Sequence, residues 1–195
     1  MSHKRLPLAF ITGVAMVVSG CGEFIRQDRA PVTLVIDTFQ ASRGEETTLS
    51  SSLSSDVITV VDDVPTIFPD RGVVNMRLVM KDVLAGPSPV NSVTLTRYQV
   101  VYRRSDGRNT PGVDVPHSFS SGLTVTVPVN GAATASFELV RVIAKLEAPL
   151  RPLVTSAVVI STIAEVTFFG RDQAGNELST VGTIGVHFGN YGDPE

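Results

Sequence analysis

Few residues in this chain could do chemistry. Ser118 or Ser120, His117 and Asp114 supply the side-chain types of a nucleophile, a base and an orienting acid. They crowd into one loop-like stretch, where triad geometry is rarely reached, and the Gly-x-Ser-x-Gly elbow is absent. A solvated loop His117 accounts for the same residues, and His187 falls on the outward row of an alternating segment. Two carboxylate pairs stand at Asp62-Asp63 and Glu45-Glu46. Glycoside hydrolysis needs two carboxyls facing across a cleft, and aromatic sugar platforms are scarce, with no Trp and three Tyr. Asp56, Asp62, Asp63 and Asp70 could offer oxygens to Ca²⁺, which takes six to eight, yet no Asp-x-Asp-x-Asp-Gly run is present. Arg97, Arg103, Arg104 and Arg108 form a basic patch that could hold carboxylate or phosphate groups; a solvated edge that resists strand pairing is the plainer account. Gly182, Gly185, Gly189 and Gly192 lack phosphate-loop spacing, so close packing within a strand explains them.

The single cysteine, Cys21, stands in a more informative context. Lys4 and Arg5 precede an apolar run over residues 6–18. Thirteen residues are too few to span a bilayer, which takes about 20, but they suit the apolar region of a signal peptide. The run ends in Val18-Ser19-Gly20-Cys21, which resembles the bacterial lipobox. That resemblance implies a diacylglyceryl group on the Cys21 thiol, cleavage after Gly20 and acylation of the new amine. Two or three acyl chains anchor stably where one would be marginal. Gly22 follows the cysteine in place of an Asp, which leans toward the outer membrane. Cleavage removes Lys4 and Arg5 and no acid, taking the formal charge from −3 to −5. A surface of that sign gains nothing from anionic lipid or from nucleic acid, so the acyl chains must do the holding.

These features sit on a chain of 195 residues, 43% hydrophobic and 18% charged. That is one domain plus a targeting segment, and the charge content is too low for a disordered polyelectrolyte. One Cys excludes an intrachain disulfide framework and a cysteine zinc site. Val and Thr make up about a quarter of the residues, a β-rich balance. Residues 22–30 read as a short polar tether. Beyond Pro31, apolar and polar residues alternate at 74–80, 98–103, 123–127, 164–168 and 183–188, the pattern of half-buried antiparallel strands. Apolar runs at 32–39 and 57–61 add two more strands. Residues 41–56 read as a long exposed loop. Phe137 to about Val140 reads as a strand, followed by one or two helical turns before Pro149 whose apolar face would include Ile143 or Ala144 and Leu146.

Two stretches carry a second resemblance. Residues 97–107, RYQVVYRRSDG, resemble the third strand of fibronectin type III-like modules. Residues 165–188 resemble the last hairpin of bacterial immunoglobulin-like surface modules, with Asp172-Gln173-Ala174-Gly175-Asn176 as its turn. Gly and Asn tolerate positive φ there, and the Asp side chain can cap its own turn. A core Trp and a Cys pair are both missing. The resemblance implies an all-β, immunoglobulin- or fibronectin III-like antiparallel sandwich of about seven strands over residues 31–191. It would follow a signal peptide at 1–20 and a lipidated tether at 21–30.

The expected role is a non-catalytic module on the bacterial cell envelope, held by acyl chains on Cys21. It would bind an envelope protein or glycan through loops or a free sheet edge, with no cofactor and no nucleic acid. A calcium- or glycan-binding surface module is the alternative, and a lipid-anchored hydrolase the more distant one.

Overall fold

The computed structural model describes residues 29–44 and 46–192. Ten strands and one short helix follow in order: β1 (Val32–Ser42), β2 (Ser52–Asp56), β3 (Thr59–Val61), β4 (Val64–Thr66), β5 (Asp70–Met80), β6 (Val93–Arg103), β7 (Phe119–Val127), β8 (Ala132–Val140), α1 (Val142–Leu146), β9 (Ile160–Asp172) and β10 (Glu177–Gly189). They form a three-stranded sheet, β1-β5-β8, a five-stranded sheet, β2-β10-β9-β6-β7, and the small hairpin β3-β4. Every pairing is antiparallel except β2 with β10. The chain is therefore all-β.

Alternation explains why these segments are strands. In β9, burial switches at nearly every residue, so that Ile160, Thr162, Ala164, Val166, Phe168 and Gly170 face inward and their neighbours outward. The two large sheets meet face to face through such rows. Phe137 of β8 lies at the centre, with ring centroids 4.9 Å from Tyr98 of β6 and 5.2 Å from Phe168 of β9. Phe39 of β1 approaches Phe137 at 5.9 Å from the same sheet. Tilted and edge-on contacts of this kind add to the area that each ring buries. Gly182 lets the sheets close up, because a Cβ there would stand 2.8 Å from Ile36 Cδ1 and 3.0 Å from Phe39 Cδ1.

Three sequence expectations change, the first being the strand count, ten among the described residues where about seven were expected. Residues 41–56 are not one exposed loop: β1 runs on to Ser42, and Ser52–Asp56 is a strand parallel to the last strand. Leu53 and Ser55 point inward from it. The helical turns appear where expected, but with a different inner face. Ala144 and Lys145 are buried, whereas Ile143 and Leu146 are exposed.

The strand directions sort the connections into two ends. One end holds Ala30 and Pro31, where the chain joins β1, together with residues 81–92, 128–131 and 173–176. The Lys81 amide donates to the Pro31 carbonyl at 2.9 Å, and the Gln173 amide to the Val90 carbonyl at 3.2 Å. The other end holds residues 43–51, the β3-β4 hairpin, residues 104–118 and residues 141–159. No helix among the described residues is long and apolar enough to cross a membrane.

Candidate functional site

The longer connections at the second end enclose a cavity of about 300 Å³. Thr59, Val61 and Phe68 line one side from the hairpin segment, with Arg43, Gly44, Glu46 and Asp56 around them. Asp70 and Lys145 form the floor. The hairpin owes its tight turn to Asp62 (φ 50°) and Asp63 (φ 62°), both left-handed. A two-residue loop with both φ positive matches the twist of its strands, and Asp tolerates that region. A second hollow beside it reaches Arg71, Ser136 and Glu138 and shares Gly44, Glu46 and Asp70.

The floor is an ion pair withdrawn from water. Lys145 Nζ lies 2.9 Å from Asp70 Oδ2, and the two side chains are 1% and 0% exposed. Ser55 Oγ donates to Asp70 Oδ2 at 2.6 Å, and the Gly44 amide donates to Oδ1 at 3.1 Å. Burial pushes the Asp70 carboxyl up from its ordinary range, against the pull of Lys145 and of the Ser55 hydroxyl. Such a group keeps its charge inside a protein only with partners of this number and geometry. Four separate segments meet here: β5 supplies Asp70, α1 Lys145, β2 Ser55 and the turn after β1 Gly44. Sequence reasoning weighed Asp70 only as a calcium ligand and missed Lys145, because nothing local marks a lysine whose partner lies in another strand.

The other candidate residues are dispersed. Cys21 and Glu45 lie outside the described residues. Asp114 Oδ2 accepts the Thr110 amide at 3.1 Å, His117 sits over Gly112, and Ser120 lies in β7 opposite Gln99. Among the described residues no hydrogen bond joins Ser118 or Ser120 to His117, or His117 to Asp114. His187 Nδ1 lies 3.0 Å from Ser161 Oγ on the outward face.

Glu46 accepts from Arg43 Nε at 2.6 Å. Asp62 and Asp63 are exposed at the hairpin tip, Asp56 accepts the Ile58 and Tyr191 amides, and Asp70 answers Lys145. Among the described residues no group of three or more His, Cys, Asp or Glu side chains could hold a metal ion. The arginines are engaged within the chain. Arg97 stacks 3.5 Å above the Phe169 ring, and Arg103 pairs with Glu165 at 2.6 Å. Arg104 and Arg108 both grip Asp106 and hold its carboxyl well below the usual range.

The Asp172 turn forms as its residues suggest. Asp172 Oδ1 accepts the amides of Ala174 (3.0 Å) and Asn176 (2.8 Å), and Oδ2 accepts from Asn176 Nδ2 at 2.7 Å. Gly175 takes φ 85°. Comparison with known proteins returned no match from family models, curated proteins or solved structures.

Proposed function

We propose that this chain is a lipid-anchored protein of the bacterial cell envelope, on the outer-membrane side. Its immunoglobulin-like sandwich acts as a non-catalytic binding module for another envelope macromolecule. The observation that carries the reading is the division between the two ends. The chain, with Cys21 earlier in its sequence, joins β1 at one end, while the cavity and the β3-β4 hairpin occupy the other. A domain tethered by its N-terminus would thereby present its most elaborated surface away from the bilayer. Sheet order favours the immunoglobulin-like class: three strands face a sheet in which β9, β10 and β6 are neighbours and β7 adds an edge. The cavity suits recognition better than reaction. Its walls are largely apolar, its floor charges are spent on each other, and among the described residues no base addresses a nucleophile there.

The test is site-specific photocrosslinking in intact cells. A crosslinker at exposed Val64 of the hairpin should capture one defined envelope partner, whereas one at Val181, exposed on the outer face of β10, should not. Cys21→Ala should abolish the capture. Equal labelling from both positions, or none from Val64, overturns the binding role.

A further inference from the structure

The two most exposed large apolar side chains among the described residues are adjacent. Val83 is 90% exposed and Leu84 92%. Both lie in the loop from Lys81 to Ser92, between β5 and β6, and Val90 of the same loop is 53% exposed. From Val83 to Asn91 this loop carries no charged residue. Its conformation is held rather than loose. Asp82 Oδ1 accepts the Leu84 amide at 2.9 Å, the Asp82 carbonyl accepts the Ala85 amide at 3.2 Å, and the Ser88 amide donates to Asn91 Oδ1 at 3.0 Å. An ordered turn thus displays two apolar side chains to solvent, where isolated exposed apolar residues need no account but a fixed pair at a tip does.

The position of the tip decides what it meets. The loop belongs to the end where the chain joins β1, and the Lys81 amide is bonded to the Pro31 carbonyl. Cys21 precedes Ala30 by nine residues, which reach at most about 30 Å when extended. We propose that the Val83–Leu84 tip docks into the surface of the bilayer that holds Cys21, as a second and non-covalent contact that fixes the orientation of the domain. This rests on the lipid-anchor reading. Two side chains could not hold a protein of this size on a membrane alone. With acyl chains already inserted, the tip meets lipid at high effective concentration, and the same small burial suffices to choose an orientation. The docked pose turns the cavity and the hairpin outward.

The chain has no Trp, so one substitution makes a clean reporter. Leu84→Trp and, as control at the opposite end, Val113→Trp (Val113 is 67% exposed) are each made in the full chain. Each is expressed in a lipoprotein-processing bacterium and reconstituted in phosphatidylethanolamine–phosphatidylglycerol vesicles with or without brominated acyl chains. Intact mass reports acylation of Cys21, and flotation reports anchoring. Docking predicts a blue-shifted Leu84→Trp emission quenched by the brominated lipid, with Val113→Trp left unquenched. Acylated, floating protein in which neither position is quenched, or both are equally, overturns the docking and leaves the anchor standing. A blue shift without bromine quenching means that Leu84 meets protein instead, and also overturns it. Absence of acyl groups together with failure to float removes the anchor and the docking alike.

Discussion

The phenol of Tyr102 in β6 donates a 2.6 Å hydrogen bond to the backbone carbonyl of Leu139 in β8, in the opposing sheet. Tyr98, two pleat repeats back along β6, does the same to the Glu138 carbonyl at 3.0 Å. β8 ends its sheet, and the two phenols bind its backbone from the facing sheet, across the core. Tyr102→Phe leaves a buried acceptor without its partner and should cost about 1–3 kcal/mol. Tyr98→Phe should cost less, since its bond is only partly buried. Urea unfolding monitored by circular dichroism measures both, and equal losses would contradict the deeper burial of the Tyr102 bond.

Alkaline titration gives a second check. Burial raises all three phenols, Tyr98, Tyr102 and Tyr191, above the ordinary value. The unfolded chain releases these protons near pH ~10, while the folded chain releases them at higher pH. Their contribution to stability is therefore complete below that pH and is lost as pH climbs above it. Absorbance at the phenolate wavelength should show the native tyrosines ionising above the ordinary range, with buried Tyr102 the last to ionise. A free-tyrosine step in folded protein would contradict this burial.

Lys145→Met strands Asp70 in the floor of the cavity and should destabilise by about 3–5 kcal/mol. Adding Asp70→Asn to that variant should recover most of the loss, because the desolvated charge is gone. Denaturant midpoints of the two single variants and the double variant form the cycle. A double variant as unstable as the sum of the singles would show that the two groups act independently.

Asp172 holds its turn with three hydrogen bonds and is nearly buried. Asp172→Ala should lower stability by about 1–2 kcal/mol, the scale of a lost cap. Hairpin capping accounts for this carboxylate without a cation, so calcium or a chelator should leave the thermal midpoint of the native protein unchanged. An upward shift with calcium would revive the metal-binding alternative.

Legibility in the sequence followed the source of burial. β9 and β10 bury apolar residues against one sheet face, so a period of two stands out, and the turn between them announces itself through Asp172, Gly175 and Asn176. β2 reads SLSSD because one of its inward positions is Ser55, whose hydroxyl serves Asp70. A buried polar residue erases the alternation that would reveal the strand. β4 includes Pro65, which cannot donate to a ladder, and the whole hairpin is too short for a period to show. The inner face of α1 was misread for the same reason as β2. Lys145 looks like a solvent residue until β5 brings Asp70 to it, and Ile143 and Leu146 look like core until Lys145 has taken the inner position. The cavity was thus hidden in residues whose partners come from other strands, while the framework around it was plain.

The parallel pairing of β2 with β10 has a mechanical consequence. Five residue pairs, from Ser52–Gly185 to Asp56–Gly189, tie a strand near the start of the described chain to the last strand of the sheet. Tension drawn between the N-terminal side of β2 and the C-terminal side of β10 runs along both strands in opposite senses. The hydrogen bonds between them are then loaded in shear, all together, instead of being peeled one after another. Such a pull would thus be resisted by all five pairs at once, at the strand whose serines concealed it.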